Sequence, residues 1–328
     1  MSTPRIRMGD LLIVQGLTVR FRRRRGALTA VDGISFTLRA GETLGLVGES
    51  GAGKSTVAFA IVRLIDPPGK IVSGHVEFEG RDLLALSERE MSAVRGNRIG
   101  MIFQDPMSTL NPVYRVGDQI AEGLIVHRRL SRREARARAV ESLHAVGIPS
   151  AAVRARAYPH QLSGGMQQRV TIAAAIALEP ALIIADEPTT ALDVTIQAQI
   201  LELMAGLIER KDTSLILVTH NLAVVAEVAD RVAVMYGGRI VEMGPKVAVL
   251  DQAHHPYTRG LLESIPSMTK RAGRLTQIPG IMPSPDALPS GCAFRTRCAF
   301  SRLPECLVAP PLRELAPGRL VACHFPLT

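Results

Sequence analysis

Gly48-Glu49-Ser50-Gly51-Ala52-Gly53-Lys54-Ser55-Thr56 fits the pattern G-x-x-x-x-G-K-[ST], with Gly48, Gly53, Lys54 and Ser55 at its fixed positions. The apolar run Thr43-Leu44-Gly45-Leu46-Val47 before it predicts a buried strand, and Val57 to Val62 after it predicts the first turns of a helix. That context gives the pattern its physical meaning. A strand drops into a loop whose N–H groups point inward, then into a helix whose positive N-terminus faces the same point. Glycines let the backbone wrap closely around a phosphate chain. Lys54 can then reach β- and γ-phosphates, while the Ser55 hydroxyl can ligate Mg²⁺. The whole stretch, Ser50, Gly51 and Thr56 included, is expected to line a nucleoside triphosphate.

The chain has 328 residues, enough for a full core and about two units at roughly 150 residues each. Aromatics make up 4% of it and there is no Trp, which argues against a stacking platform for single-stranded nucleic acid. The net charge of +9 comes largely from arginines at 22–25 and 128–138, read as solvated surface. Nucleic acid is not an expected partner. Apolar runs such as Ile172 to Leu178 are far shorter than the roughly 18 residues that span a bilayer. The N-terminal stretch with Arg5, Arg7 and Asp10 lacks the apolar core of a signal peptide, so a cytosolic chain is expected.

Outward from the loop, the segments 11–14, 17–21 and 30–38 alternate as strands do, with Gly16 between the first two. Ser73 to Gly80 predicts an edge hairpin, and Ile99 to Phe103 a strand ending at Gln104. From about residue 110 to 161 the pattern turns helical. Ser131 and Glu134 form a capping box, followed by an apolar stripe at Ala135, Ala139, Leu143 and Val146. Further strands are expected at 181–185, ending in Asp186-Glu187, and at 214–219, ending at His220. Tyr236-Gly237-Gly238 signals a hairpin. Strands alternating with helices indicate an α/β fold with a mainly parallel sheet. Beyond Gly244 prolines become dense and a small, irregular extension is expected.

Three strand ends carry chemistry. A carboxylate at the end of a buried strand, Asp186, suits Mg²⁺, and Glu187 beside it suits a general base. Gln104 suits water and metal positioning, and His220 suits a γ-phosphate contact or, as a lone strand-end histidine usually does, a structural role. Phe21, late in the first strand region, suits either stacking on a nucleobase or plain core packing.

The order of phosphate loop, Gln104, Leu162-Ser163-Gly164-Gly165-Met166-Gln167, Asp186-Glu187, Ala191-Leu192-Asp193 and His220 resembles the nucleotide-binding subunit of ABC transporters. The resemblance runs from about residue 10 to 245. It implies a P-loop ABC ATPase core of mixed sheet, with an antiparallel β subdomain and a helical subdomain inserted at about 105–168. Phe21 is then the adenine-stacking aromatic, Gln104 the Q-loop with Ser55 and Asp186 at Mg²⁺, and Glu187 the catalytic base. Asp193 is the D-loop, and His220 the switch histidine. Ser163, Gly164, Gly165 and Gln167 form the signature that closes over ATP on a second ATPase subunit.

His255-Pro256-Tyr257-Thr258 and Gly291-Cys292-x-Phe294-x-x-Arg297-Cys298 resemble the C-terminal extension of oligopeptide and dipeptide importer ATPases, as does the run from Gln104 to Pro112. The domains expected are therefore 1–245 for the ATPase and 246–328 for the extension. The implied assembly has a paralogous second ATPase, two transmembrane permease subunits and an extracytoplasmic peptide-binding protein, with this chain peripheral at the cytoplasmic face of the inner membrane. Nickel or another small solute is the alternative cargo. A soluble ABC ATPase working on nucleic acid or ribosomes is a remote one, disfavoured by the single phosphate loop and the lack of heptads.

All four cysteines, Cys292, Cys298, Cys306 and Cys323, fall in the extension. A reducing compartment disfavours disulfides. Four clustered thiols suit a metal or an iron–sulfur cluster, or remain unligated. The resemblance implies a [4Fe–4S] cluster, with structural zinc as the alternative.

Overall fold

The computed structural model describes residues 9–24, 26–189, 194–211, 213–265 and 277–328. By its internal packing the chain divides into Met1–Ala85 with Leu217–Thr328, and Leu86–Ile216.

The first unit begins with β1 (Asp10–Arg22), β2 (Ala27–Arg39), β3 (Thr43–Val47), α1 (Lys54–Ile61), β4 (Gly69–Phe78) and β5 (Arg81–Asp82). The two short strands expected around Gly16 are one long strand. Gly16, at φ 58, sits where the β1–β2 register shifts between Val14 and Leu17, so the chain bulges without ending the strand. An antiparallel sheet of order β2-β1-β4-β5 results, with the expected hairpin turning at Glu79 and Gly80. Its inner face buries Leu12, Val14, Leu17, Val19, Phe36 and Leu38 completely, and each such side chain stabilises by about 1.5–3 kcal/mol.

The second unit holds α2 (Glu88–Val94), β6 (Ile99–Ile102), α3 (Pro106–Thr109), α4 (Val116–Arg128), α5 (Arg132–Ala145), α6 (Ala151–Arg154), α7 (Gly164–Ile176), β7 (Leu182–Asp186) and α8 (Val194–Lys211). The capping box forms as read: Ser131 Oγ accepts from the Glu134 N–H, and the Glu134 carboxylate accepts from the Ser131 N–H at 3.0 Å. The stripe Ala135, Ala139, Leu143 and Val146 is fully buried, while Arg132, Arg133, Arg136 and Arg138 face solvent. β6 and β7 pair in parallel from Ile99–Leu182 to Ile102–Ala185, which brings their carboxyl ends to one edge.

Through β8 (Ser214–Thr219) the chain re-enters the first unit, which adds α9 (Leu222–Val228), β9 (Arg231–Tyr236), β10 (Arg239–Pro245), α10 (Lys246–Asp251), α11 (Pro256–Glu263), β11 (Arg313–Ala316) and β12 (Arg319–Val321). β3 runs parallel to β9. The β9–β10 hairpin turns on Gly237 and Gly238, both at positive φ as a two-residue turn of this hand requires. The strands β11 and β12 were not legible in the sequence. β12 returns to pair with β10, so the C-terminal segment adds strands to the sheet that carries the phosphate loop. A fully buried carboxylate ties this return. Glu242 accepts from the N–H groups of His254 and His255, each at 2.9 Å, and from Arg319 at 3.3 Å. Charge-assisted bonds on both oxygens offset the cost of burying that charge.

Candidate functional site

Every residue of β3 is buried, which makes it a rigid stem for the loop that follows. Gly53 caps α1 at φ 96, and a Cβ there would lie 2.5 Å from the Ala30 carbonyl oxygen. At Gly48 a Cβ would lie 2.3 Å from the Met235 carbonyl. Only glycine fits either place, so both fixed glycines of the pattern follow from geometry. Lys54 is 4% exposed, and its ammonium donates to the Gly48 and Glu49 carbonyls at 2.8 and 3.0 Å. Its charge is thus held over the loop. Ser50 and Gly51 are exposed, Ser55 and Thr56 half-buried at the start of α1.

Phe21 is half-buried in β1 and paired with Gly69 of β4, where a Cβ would meet its ring at 2.6 Å. The ring lies over a residue that has no side chain. His220 is exposed directly after β8, and the Asn221 side chain next to it caps α9 through the Ala223 N–H at 3.0 Å.

In the second unit Asp186 ends β7 and is 2% exposed. Glu187 follows at φ 45, the left-handed region that an L-residue occupies only under constraint. That turn swings its carboxylate to within 3.4 Å of Gln104 Nε2, beyond the end of β6. Two of the expected catalytic groups, 83 positions apart, are brought together.

The signature sits where a short 3₁₀ turn, Pro159–Gln161, leads into α7. Ser163 caps the helix, and Ser163 and Gly164 face solvent with no acidic residue in the first helical turn. A helix N-terminus open in this way suits an anion. Gln167 departs from the expectation of a ligand-facing group. It is buried, and its amide donates to the Pro159 and Leu162 carbonyls at 2.8 and 3.2 Å. It therefore staples the signature loop. Asp193 lies outside the described residues.

Sequence reasoning missed one feature of the loop. Glu49, at a variable position of the pattern, donates its N–H to the Tyr257 hydroxyl at 2.8 Å and receives a two-pronged ion pair from Arg297 at 2.7 and 3.0 Å. The motifs of the C-terminal segment supply both partners.

Among the described residues, no helix is long and apolar enough to cross a membrane.

Residues 31–190 match the family model for ABC transporters, and residues 241–306 match that for the oligopeptide/dipeptide transporter C-terminal region. Along 97% of its length the chain is 47% identical to the dipeptide transport ATP-binding protein DppD of Escherichia coli, covering 97% of that protein. It is 49% identical to the oligopeptide transport ATP-binding protein OppD of Salmonella typhimurium, covering 94% of it. The chain belongs to the ABC transporter family. It is an ATP-binding, ATP-hydrolysing subunit of that family. Among solved structures it resembles the dimeric ATP-binding cassette MJ0796 bound to ADP and Pi, with a TM-score of 0.65 and 29% identity over 72% of this chain and 98% of that one. It also resembles cbiO1 of Clostridium perfringens, part of the cbiONQ ABC transporter complex, with a TM-score of 0.63 and 28% identity over 74% and 91%.

In this ABC subunit Cys292, Cys298, Cys306 and Cys323 line one cavity of about 20 Å³, walled also by His255, Phe294 and Phe325. Burial pushes the Cys292 and Cys298 thiols up, and that of Cys323 to about 11. Buried His255 is held neutral, its pKa pushed down to about 3 by desolvation, and its Nδ1 caps α11 by accepting from the Tyr257 N–H at 3.1 Å. Facing one cavity is not the same as forming one coordination shell. Among the described residues no three His, Cys, Asp or Glu side chains are gathered closely enough to hold a metal ion. The tetrahedral zinc expected as an alternative needs four donors at about 2.0–2.3 Å from one point, and this arrangement does not fit it.

Proposed function

We propose that this chain is the ATP-hydrolysing motor of a di- and oligopeptide importer. The observation that carries the reading is identity of 47% and 49%, through the C-terminal segment, to proteins named for dipeptide and oligopeptide transport. In this reading the chain sits at the cytoplasmic face of the inner membrane, beside two transmembrane permease subunits served by an extracytoplasmic peptide-binding protein. Its ATPase partner is a paralogue, so the motor is a heterodimer. The exposed side chains of Met107, Val113 and Tyr114, after Gln104, offer an apolar surface to a permease. The ATPase proper is 1–245, with its helical subdomain at about 105–168, and 246–328 is the extension.

The residues divide the work by chemistry. Lys54, seated by the Gly48 and Glu49 carbonyls, donates to β- and γ-phosphate oxygens. Gly48, Ser50, Gly51, Gly53 and Thr56 wrap the phosphates, while Phe21 stacks on the adenine. Ser55, Gln104 and Asp186 would hold Mg²⁺, which when bound neutralises charge on the phosphates. Glu187 takes the proton of the attacking water, with Gln104 orienting its carboxylate, and His220 donates to the γ-phosphate. Ser163, Gly164 and Gly165 offer helix N-terminal amides to the nucleotide of the partner ATPase, Gln167 holds their loop in shape, and Asp193 serves as the D-loop residue. Closure on ATP and opening after hydrolysis then drive the permease.

The cysteines belong to this reading too. A [4Fe–4S] cluster takes four thiolate ligands, and the four thiols that face this cavity match that number, although a cavity of about 20 Å³ must open to admit it. Protein purified without oxygen is expected to be brown with stoichiometric iron, and Cys298→Ala to lose the colour. Colourless, iron-free wild-type protein would end that assignment.

The cargo is tested by uptake into proteoliposomes that hold this chain, its ATPase partner and the permeases. ATP-dependent entry of labelled di- and tripeptides is the expected result. Entry of nickel in place of peptide would transfer the same motor to another solute.

A further inference from the structure

The phosphate loop is gripped from the C-terminal segment through one residue. Every polar group of Glu49 is engaged. Its N–H donates to Tyr257 Oη, and its carbonyl accepts from Lys54 Nζ at 3.0 Å and from the Ala52 N–H at 3.2 Å. Its two carboxylate oxygens receive the two terminal nitrogens of Arg297. The Arg297 side chain is only 5% exposed, and its other N–H groups are spent on the Pro279 carbonyl at 2.8 Å, the Gly280 carbonyl at 3.2 Å and the Tyr236 hydroxyl at 3.4 Å. All five guanidinium donors are thereby used.

The two anchors are themselves locked. Tyr257 and Tyr236 meet edge-on with ring centroids 4.7 Å apart, and Phe294 closes a triangle with them at 5.3 and 5.2 Å. Tyr236 and Tyr257 are fully buried and Phe294 is 4% exposed. A planar fork that is pre-set by three other acceptors loses little entropy in binding a carboxylate. Solvation of the surface cannot explain why a buried arginine is aimed at a variable position of the phosphate loop.

Resting on the ATPase reading above, we propose that Arg297 and Tyr257 are positioning residues for ATP, holding Glu49 so that its carbonyl seats the Lys54 ammonium over the phosphate site. The C-terminal segment is then part of the nucleotide-binding device. Neither residue touches the nucleotide; both act through Glu49.

The test is equilibrium binding of MgATP and steady-state ATPase for wild type, Arg297→Lys, Glu49→Gln, Tyr257→Phe and the double variant Arg297→Lys/Glu49→Gln, each in the intact ATPase–permease complex. Arg297→Lys keeps the charge and loses the fork, and Glu49→Gln alters a half-exposed side chain, so folded protein is retained for at least the second. We expect Kd and KM for MgATP to rise about tenfold in each of these two, as befits a lost charge-assisted bidentate contact, with kcat changed little. The double variant should be no weaker than either single one, because both break the same link. Tyr257→Phe should weaken binding to a smaller extent. Unchanged MgATP affinity in folded Glu49→Gln and Arg297→Lys, or losses that simply add, would overturn the proposal. Failure of wild type itself to bind MgATP would instead strike the ATPase reading on which it rests.

Discussion

Lys54→Ala is expected to weaken MgATP binding by about a hundredfold, since contacts from one ammonium to two phosphates are lost at roughly 1.5–3 kcal/mol each, part of it regained from water. ATP hydrolysis falls with it. The effect is large because Lys54 is buried and already positioned, with its ammonium 2.8 and 3.0 Å from two carbonyls of the loop. The substitution has a structural side as well. Gly48 and Glu49 each lose a donor, so the empty loop should be looser, and thermal unfolding of the nucleotide-free variant should start slightly earlier. Titration with a fluorescent ATP analogue separates the two consequences. A variant that unfolds earlier but binds MgATP as well as wild type would show that Lys54 braces the loop without touching phosphate.

Glu187→Gln is expected to lower kcat by about 10²–10⁴, the usual contribution of a positioned general base, and to leave MgATP affinity near that of wild type. The replacement is isosteric, so the contact with Gln104 at 3.4 Å can persist, and only the proton-accepting capacity is removed. The backbone reinforces this assignment. Glu187 is held at φ 45, a conformation that costs of order 1–3 kcal/mol unless the surroundings impose it. Strain of that kind at the end of β7 aims one side chain. ATP-dependent association with the partner ATPase should persist and outlast that of wild type, because opening waits on hydrolysis. Measured in the complex, a rate unchanged from wild type would move the base to another residue.

How much of this was legible depended on the range of each interaction. The phosphate loop, the Ser131–Glu134 capping box and the Gly237-Gly238 hairpin are local demands of backbone geometry, written in consecutive residues, and the structure forms all three. Asp186 and Glu187 could be placed because an apolar run ending in acids marks a strand end. Their partner Gln104 could be placed on a strand end too, but its approach to Glu187 needed the parallel pairing of β6 with β7. The misreadings have the same origin. Gln167 carries a polar side chain in a ligand-binding motif, and nothing in the sequence says that it turns inward to Pro159 and Leu162. Gly16 looked like a break between strands, whereas a bulge lets one strand pass through it.

The grip on Glu49 was beyond sequence reasoning for a plainer reason. Its partners lie 208 and 248 positions away, in a segment whose prolines and short strands leave no periodicity to read. His255 to Thr258 and Gly291 to Cys298 stood out as motifs, but their physical task emerges only where the rings of Tyr257, Tyr236 and Phe294 meet at steep angles and Arg297 reaches the loop. The cysteines are intermediate. Their clustering in the chain was visible; their facing of one cavity, without the close grouping that a single ion needs, was not.

Coupling of ATP hydrolysis at this chain to peptide import is read from the ATPase rate of the reconstituted complex as peptide-loaded binding protein is added. The expected rate rises with loaded binding protein, stays low with the empty one, and is lost in Glu187→Gln. A rate indifferent to peptide at every concentration of binding protein would contradict that coupling.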